Sequence, residues 1–439
     1  MTTVTIVGGG LAGAEAAWQL VRQGIPVHLF EMRPTVPTPA HTTALLAELV
    51  CSNSLRGAGL ENAVGLLKEE MRQLDSLVMA AADATRVPAG GALAVDRMLF
   101  SQYITKALST HPLAAISRRE VTEIPPSPAI IATGPLTAGT FARNLQGFLG
   151  QDYLHFYDAS APIVLAESLD QRMLFRASRY GKGGDDAYLN SPLQMEEYNR
   201  FRQALLEADT RCGHLPEDAV FFEGCLPVEE LAKRGPDTLR YGPLKPVGLT
   251  DPRTGKRPHA VVQLRQDDAA GSLYNLVGFQ TRLLHAEQER VIRLLPGLER
   301  AEIMRWGGMH RNSYLLSPLI LGATGEAREH PGLFFAGQLT GVEGYVESAA
   351  GGLVAGMNAA RREHGRKMLV FPPETAIGAL MQYITSANPT AFQPMNINFG
   401  LLPSSSNKGQ HKRERYLAMA ERSLTTLKTL KNGIIRQNP

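Results

Sequence analysis

The chain has 439 residues, of which 44% are hydrophobic and 20% charged, and its formal net charge is +3. This length predicts more than one domain, and no apolar run reaches the roughly 18 residues that a membrane-spanning helix needs. The opening stretch MTTVTIVGGG has no lysine or arginine before its apolar residues, unlike a secretory signal peptide. The three cysteines are widely spaced and form no CxxC pair. We therefore expect a cytoplasmic protein with reduced thiols and no metal site.

The positive charge is concentrated near the C-terminal end. From Ser404 onward there are eight basic and two acidic residues, so this segment carries +6 and the rest of the chain −3. Such a run is compatible with a solvated helix face or with a surface that binds a polyanion. In the second interpretation, Lys412 and Arg413 are the candidate contacts.

The strongest local motif lies at the N-terminus. A β-rich strand is predicted over Val4–Val7, and the glycines that follow it fit the pattern GxGxxG. An alanine-rich helix is predicted from about Ala12 to Arg22, and a second strand over Val27–Phe30 is closed by Glu31. Strand, glycine turn, helix, strand and terminal acid in this order predict a dinucleotide-binding βαβ unit.

Each residue type in this motif has a physical role. The first glycine permits a tight turn, the second lets the backbone approach a pyrophosphate, and the third lets helix and strand pack closely. Phosphates would face the helix N-terminus. The terminal acid can accept hydrogen bonds from ribose hydroxyls and would repel the 2′-phosphate of NADP. The residues predicted to contact the cofactor here are Gly8, Gly9, Gly10, Leu11, Ala12, Gly13, Glu31 and Arg33.

The next segments alternate between loops and short elements. The stretch ALLAELVC, over residues 44–51, predicts either a helix or a strand, and helices are predicted over Gly65–Val78 and about Asp96–Leu108. A short buried strand over Ala129–Pro135 contains Thr133 and Gly134. In a flavin-binding fold, such a segment brings its backbone next to the dinucleotide.

The pattern changes between about Tyr153 and Arg305, where prolines, charges and short mixed strands dominate. This composition predicts an inserted α+β domain. We therefore expect a first domain segment over 1–155, an inserted substrate domain over 156–305, and a return segment with the basic tail over 306–439.

The return segment again has the pattern of a strand, a glycine turn and a helix. Its sequence GLFFAGQLTGVEGYVESAAGGLVAGMNAA spans residues 332–360. The small residues in the helix favour either tight helix packing or the close approach of a flat cofactor. No second GxGxxG is present, which favours one extended FAD site over a two-dinucleotide reductase. The residues predicted to contact the cofactor are Thr133, Gly134, Gly337, Gln338, Tyr345, Gly351 and Gly352.

Two of the three cysteines lie in polar surroundings. Cys51 is followed by Ser52, Asn53 and Ser54, and the nearby Arg56 is expected to lower the pKa of its thiol. Cys225 follows a Glu-Gly pair typical of a turn. We interpret the remaining cysteine, Cys212, as structural.

Five segments together resemble the folate- and FAD-dependent tRNA (uracil-5-)-methyltransferases. They are VGGGLAGAEAAW, VCSNSLRG, FFEGCLPVEELAKRG, GMHRNSYLLSP and FAGQLTGVEGYVESAAGGLVAGMNAA. The wobble-uridine tRNA-modifying flavoproteins share the last element and an early cysteine loop. Those relatives are longer, with an extra C-terminal helical domain, and carry no FEGCLP segment, so the methyltransferases are favoured.

The resemblance implies an α/β fold, a glutathione-reductase-like FAD-binding Rossmann domain that is discontinuous in sequence and holds an inserted α+β domain. It also implies methylation at C5 of the T-loop uridine, position 54, of tRNA. The carbon would come from methylenetetrahydrofolate, and the reducing equivalents from flavin reduced by NADPH or NADH. The implied partners are tRNA and folate, with no membrane and no protein partner.

The chemistry requires a nucleophilic cysteine, because a thiolate that adds to C6 of uracil makes C5 nucleophilic. Our hypothesis is that Cys225 adds to C6 and that Cys51 acts as an acid/base or shields the flavin. The reverse assignment stays open. Candidate substrate contacts are Asn53, Arg56, His310, Arg311, Asn312, Glu347, Lys412 and Arg413.

Two other functions stay open at this point. One is a wobble-uridine tRNA-modifying flavoprotein. The other is a small-molecule FAD oxidoreductase, which would need neither two placed cysteines nor a basic tail.

Overall fold

The computed structural model describes residues 2–137, 139–183, 187–211, 226–404 and 411–436. Cys212 and Cys225 lie outside these ranges. The α-helices in the described ranges are Leu11–Arg22 (α1), Ala63–Gln73 (α2), Leu77–Ala84 (α3), Arg97–Ser109 (α4), Gly139–Leu149 (α5), Met195–Glu207 (α6), Val228–Lys233 (α7), Thr238–Tyr241 (α8), His285–Ile292 (α9), Ser317–Ile320 (α10), Tyr345–Glu363 (α11), Ala376–Ser386 (α12) and Lys412–Arg436 (α13).

Short β-strands alternate with these helices. They are Val4–Val7 (β1), Val27–Glu31 (β2), Ser54–Gly57 (β3), Arg86–Val87 (β4), Ala92–Val95 (β5), Ala114–Arg118 (β6), Ala129–Ile131 (β7), Leu154–Ala159 (β8), Ile163–Leu165 (β9), Phe175–Arg176 (β10), Tyr188–Leu193 (β11), Ala260–Gln266 (β12), Leu273–Leu276 (β13), Ile303–Arg305 (β14), Met309–Tyr314 (β15) and Leu333–Phe335 (β16).

One of the sheets is entirely parallel. Within the described residues it has five strands in the order β16-β7-β1-β2-β6, and every neighbouring pair is parallel. The predicted βαβ unit is confirmed as β1, α1 and β2. Strand β16 joins this sheet from the far end of the sequence, which confirms the predicted discontinuous Rossmann domain.

Helices α1 and α11 pack tightly against each other beside this sheet. A Cβ atom added at Gly352 would lie 2.8 Å from the Cα of Ala12, and one added at Gly356 would lie 2.8 Å from the Cα of Ala16. Carbon atoms of non-bonded groups do not approach this closely. The glycines of α11 therefore allow the two helix backbones to touch.

A second, antiparallel sheet is formed by the stretch of chain between the two sequence segments of the parallel domain. In the described part of the chain its six strands run β10-β11-β12-β13-β9-β14, and all of them fall within residues 156–305. A separate apolar core, which includes Tyr198 and Phe201 of α6, covers one face. The antiparallel ribbon of β8 and β15 connects this unit to the parallel domain on both chain crossings.

Two sequence predictions differ from the structure. Residues 44–51 form neither a helix nor a strand. The helix predicted over Gly65–Val78 is divided into α2 and α3, because Asp75 adopts a left-handed conformation with φ of 56°. The hydroxyl of Ser76 then accepts from the amide of Met79 and caps the new helix.

The C-terminal helix α13 is anchored on α2. The Glu70 carboxylate accepts hydrogen bonds from the amides of Ala376, at 2.6 Å, and Ile377, at 2.9 Å, and from the hydroxyl of Ser423 in α13. Burial raises the pKa of Glu70 to about 7. Within the ranges that the structure describes, every helix is too short or too polar to cross a bilayer.

The contact between α1 and α11 gives a test of the fold. We expect Gly352→Val to destabilise the protein by about 3 kcal/mol or more, because the new side chain meets the backbone of Ala12 and neither helix can yield cheaply. Gly433→Ala is the matched control, since this helical glycine has open space around it. Thermal unfolding of both variants makes the comparison, and equal midpoints would contradict the packing argument.

Candidate active site

A cavity of about 680 Å³ opens at the carboxyl ends of the parallel strands. The glycine turn after β1, the Thr133–Gly134 turn after β7 and the Gly337–Gln338 turn after β16 all line it. In open α/β sheets this edge is where ligands bind. The sequence motifs thus converge on one cavity.

The turn after β1 presents backbone rather than side chains to the cavity. The Gly9 amide donates to Oε2 of Glu31 at 2.9 Å, and a Cβ at Gly13 would collide with the carbonyl of Gly8. Gly10 is the N-cap of α1, and a Cβ there would have no neighbour within 4 Å. The first turn of α1 is therefore open to a phosphate, as the pyrophosphate of FAD requires.

An ionic cluster closes one end of the cavity. Arg33 donates to Glu31 at 2.9 Å and to Glu48 at 3.1 Å, and all three side chains are buried. Burial alone would raise the pKa of Glu31, but hydrogen bonds and charge from Arg33 and the Gly9 amide hold it below its usual range. Nη2 of Arg33 is buried with no partner among the described residues, so it is available to a ligand. A charged carboxylate and a free guanidinium N–H fit the ribose end of FAD.

The loop that carries Cys51 is held by arginines from three other elements. Arg97 of α4 donates to the carbonyls of Leu49 at 2.8 Å and Cys51 at 3.4 Å, and its own position is set by an ion pair with Asp267 at 2.9 Å. Arg305 of β14 donates to the carbonyl of Val50 at 2.7 Å.

Arg265 of the inserted domain and Tyr345 of α11 hold the rest of the loop. Arg265 of β12 donates to Oδ1 of Asn53 at 2.8 Å and to the hydroxyl of Ser52 at 2.6 Å. The Tyr345 hydroxyl accepts from the amides of Cys51 at 2.6 Å and Ser52 at 3.2 Å. The position of the thiol is therefore fixed by side chains outside its loop.

The Cys51 thiol faces the cavity and lies 3.5 Å from the carbonyl of Ala159. Burial and the negative charge of Asp158 raise its pKa to about 12, although Arg97 and Arg305 act in the opposite direction. The expected lowering by Arg56 is wrong. The guanidinium of Arg56 instead pairs with the buried carboxylate of Glu347.

Glu343 is a cavity residue that the sequence analysis missed. Its buried carboxyl group accepts a hydrogen bond from Nε2 of Gln338 at 2.5 Å. Burial raises the pKa of Glu343 well above its ordinary value, the charges of Asp158 and Glu347 add to the rise, and Arg56 opposes it. The surroundings of Glu343 therefore favour its protonated form. The sequence signal for Glu343 is its position in the glycine-rich segment GVEGY, just before α11.

The cluster in β15 is only partly in the cavity. His310 and Asn312 line it, and His310 is paired in register with Asp158 of β8. Burial, with a contribution from the charge of Arg305, lowers the pKa of His310. Arg311 has an exposed side chain and does not line the cavity.

Most of the predicted site residues converge on this cavity. Those that line it are Gly8, Gly9, Gly10, Leu11, Ala12, Glu31, Arg33, Cys51, Arg56, Thr133, Gly134, His310, Asn312, Gly337, Gln338 and Tyr345. Gly13 supports the turn from behind, and Asn53 and Glu347 are buried behind the wall.

Two positions predicted to contact the cofactor have another place in the structure, and two predicted tRNA contacts lie outside the cavity. Gly351 and Gly352, predicted to contact the cofactor, do not line the cavity. Gly351 packs against Gly337 and Gly352 against α1, so they serve the alternative role of tight packing. Lys412 and Arg413 lie at the exposed start of α13, outside the cavity. Cys225 is outside the described residues, and its role stays a prediction.

The fold and cavity define a class of flavoprotein that comparison with known proteins identifies. The family model described as "Glucose inhibited division protein A" matches residues 3–367, and the chain belongs to this family. The GidA structure from Aquifex aeolicus is similar with a TM-score of 0.71 and 17% identity, covering 98% of this chain and 73% of that one. At that identity the likeness concerns the fold alone, and it confirms the predicted fold class.

Closer relatives share nearly the full length. A protein of Heliobacterium modesticaldum is 62% identical over 97% of this chain and 97% of its own. One of Desulforamulus reducens is 61% identical over 97% and 96%. Both are named methylenetetrahydrofolate--tRNA-(uracil-5-)-methyltransferase TrmFO. The resemblance found in the sequence is confirmed.

The environment of Cys51 predicts a distinctive pH dependence. Because its pKa is raised to about 12, the thiolate fraction should rise roughly tenfold per pH unit through the neutral and alkaline range. Alkylation of residue 51 by iodoacetamide, followed by peptide mass spectrometry, should therefore show no plateau near pH 9. Asp158→Asn removes a neighbouring negative charge and should accelerate alkylation at each pH. A plateau of the alkylation rate near pH 9 in the protein without the Asp158→Asn substitution would contradict this interpretation.

Proposed function

We propose that this protein is a folate- and FAD-dependent tRNA (uracil-5-)-methyltransferase that modifies the T-loop uridine, position 54. The observation that carries the proposal is one cavity in which a dinucleotide cradle, a positioned thiol and the buried carboxyl group of Glu343 face the same space. A small-molecule oxidoreductase would not need the positioned thiol. The tRNA and folate substrates agree with the cytoplasmic location expected from the sequence.

The residues of the cradle would hold FAD in an extended form. The first turn of α1 and the glycines before it suit the pyrophosphate, and Glu31 with Arg33 suits the adenosine ribose. Gln338 and Tyr345 lie at the other end of the cavity, beside Cys51 and Glu343. When bound, reduced flavin supplies the hydride that converts the transferred methylene group into a methyl group, and NADPH or NADH would restore it.

Methylation at C5 of uracil needs a nucleophile at C6. The cavity disfavours Cys51 for this task, because a thiol with a pKa of about 12 is almost entirely protonated at neutral pH. Cys225 is therefore the favoured nucleophile. Cys51 would then act from the cavity wall, as a proton donor or as a shield for the reacting carbon.

The reaction also needs a proton donor. When methylenetetrahydrofolate gives up its carbon, a carbon–nitrogen bond breaks and the leaving nitrogen takes a proton. Burial favours the protonated form of Glu343, which would donate this proton, and the resulting carboxylate would later accept the proton that leaves C5 of uracil. One carboxyl group would thus return to its starting state after each cycle.

The start of α13 is a second part of the proposed interface with tRNA. Lys412, Arg413 and Arg415 occupy its first turn, where positive charge opposes the helix dipole. Tyr416 of the next turn stacks on Phe399 with ring centroids 4.3 Å apart, and Phe399 follows Asn396 of the cavity wall by three residues. Basic residues at the start of α13 cost helix stability. Contact with the phosphates of a bound RNA would explain why they are there.

The proposed activity can be tested directly. Purified protein, NADPH, labelled methylenetetrahydrofolate and an unmodified tRNA transcript should give labelled 5-methyluridine, detected by mass spectrometry after digestion. A transcript with cytidine in place of uridine at position 54 is the control and should gain no label. Label at another uridine would refute the T-loop assignment, and no label from FAD-loaded protein would refute the methyltransferase.

The role of Glu343 predicts a defined loss. Glu343→Gln keeps the shape and an acceptor for Gln338 but cannot donate a proton, so methylation should fall about 10²- to 10⁴-fold. In the unmodified enzyme, activity should decline as pH rises through the raised pKa of Glu343, and this decline should be lost in the variant. FAD content and thermal stability serve as controls. A variant with full activity would exclude Glu343 as the proton donor.

The basic start of α13 predicts a salt-dependent effect. The double variant Lys412→Glu and Arg413→Glu should weaken tRNA binding about 10-fold or more and reduce the slope of log affinity against log salt by about 2. Lys106→Glu with Lys367→Glu makes the same charge change at other exposed positions and should have little effect. Equal binding by both double variants, measured by fluorescence anisotropy, would remove α13 from the interface.

A further inference from the structure

A basic surface lies on the inserted domain, and the residues that form it do not line the cavity. It is formed by two segments, 171–183 and 240–257, which together contain nine basic residues and one acidic residue; Asp170, Asp185, Asp186 and Asp237 lie within three residues of their ends. Their contact is direct: Arg179 donates to the carbonyl of Lys245 at 2.7 Å, Arg253 donates to that of Arg172 at 2.7 Å, and the Tyr180 amide donates to that of Gly248 at 2.9 Å.

Several of these cations have no ion-pair partner among the described residues. Asp251 is paired with Arg253, Asp170 with Arg172 and Asp237 with Arg240. Asp185 and Asp186 lie outside the described residues. Lys182, Lys245, Lys256 and Arg257 form no ion pair with any residue that the structure describes, and all but the half-buried Lys245 are exposed. Unpaired positive charges of this density attract a polyanion. We call the surface of Tyr180, Lys182, Lys245, Lys256 and Arg257 the Tyr180 face.

Tyr180 itself is held in an unusual state. Its backbone is left-handed, with φ of 59° and ψ of 26°, which costs free energy for any residue other than glycine. Its ring lies against Gly248, where an added Cβ would be 2.9 Å from two ring carbons. Yet 64% of the residue stays exposed, so the strain does not bury it in a core. The left-handed backbone costs stability, and it leaves the aromatic ring exposed to solvent.

The Tyr180 face is connected to the mouth of the cavity by backbone contacts. A Cβ at Gly90 would lie 3.0 Å from the carbonyl of Lys182, and the adjacent Gly91 carbonyl accepts from the Ala58 amide at 2.9 Å. Ala58 follows β3, which carries the cavity residue Arg56. Lys182 of the Tyr180 face therefore lies about two strand spacings, or roughly 10 Å, from the end of β3.

We propose that the Tyr180 face binds the RNA substrate outside the cavity, with the Tyr180 ring stacked on a nucleobase and the four cations on phosphates. Stacking of bases on aromatic rings and phosphate contacts from lysine and arginine are the usual means of holding exposed RNA. The inference rests on the proposed function, because it takes tRNA as the substrate. The same two segments also expose Met173, Tyr241 and Val247. RNA is proposed rather than a protein because basic residues outnumber acidic ones in these segments.

The test compares single substitutions in the full-length, FAD-loaded protein. Tyr180→Ala should weaken the binding of an unmodified tRNA transcript about 5- to 100-fold, whereas Tyr180→Phe, which keeps the ring, should bind like the unmodified protein. Lys182→Glu should reduce the salt slope by about 1 to 2. Tyr103→Ala and Lys106→Glu, both exposed on α4, are the matched controls. Lys182→Glu also keeps the test valid if Tyr180→Ala fails to fold.

The outcomes separate this inference from the proposed function. If the unmodified protein methylates tRNA and both Tyr180→Ala and Lys182→Glu bind it unchanged, the Tyr180 face is not an RNA contact. If Tyr180→Phe loses as much affinity as Tyr180→Ala, base stacking is wrong. If the unmodified protein neither binds nor methylates tRNA, the proposed function itself fails. Flavin reduction by NADPH without RNA should be equal in all variants and reports that the FAD site is intact.

Discussion

The conformation of the Cys51 loop depends on hydrogen bonds from side chains of other elements. Residues 49–53 make no helix, and strand pairing starts only at Ser54, so their backbone groups need hydrogen bonds from elsewhere. In the described part of the chain these come from Arg97, Arg305 and Tyr345, while Arg265 holds the side chains. Two of the arginines belong to the inserted domain. The inserted domain is thereby a structural part of the cavity, since moving it would move the thiol.

The same contacts explain why the nearby arginines do not offset the raised pKa of Cys51. Three guanidinium groups lie around the loop, but their N–H groups are directed at carbonyl oxygens, Asp267, Ser52 and Asn53 rather than at the thiol. Burial and Asp158 therefore dominate at Cys51 and, with Glu347, at Glu343. Surroundings that favour the protonated forms of Cys51 and Glu343 suit proton donation, and they leave the nucleophilic step to a thiol in a different environment.

The sequence predicted the parts of the site that repeat a local pattern. The glycine turn, α1, β2 and Glu31 follow from short-range spacing, and the return segment from the same logic. Gly352 was assigned to the cofactor because a small residue is equally suited to a flat ligand and to a neighbouring helix, and only the position of Ala12 decides. Arg265 carries no local signal, since it acts on Ser52 and Asn53, which are more than 200 residues away in the chain. Residues 44–51 have a periodic apolar pattern, but the side chains that hold this stretch override its propensity for a helix or a strand.

The contact of Gly352 with Ala12 also has a consequence for synthesis of the chain. The two residues are 340 positions apart, so α1 emerges from the ribosome long before the helix that covers it. At the usual rate of about 5 to 20 residues per second, the uncovered face of α1 waits roughly 20 to 70 s. The inserted domain, with its own apolar core, can fold during that interval. The first 150 residues are thus the part of the nascent chain that most needs protection by a chaperone.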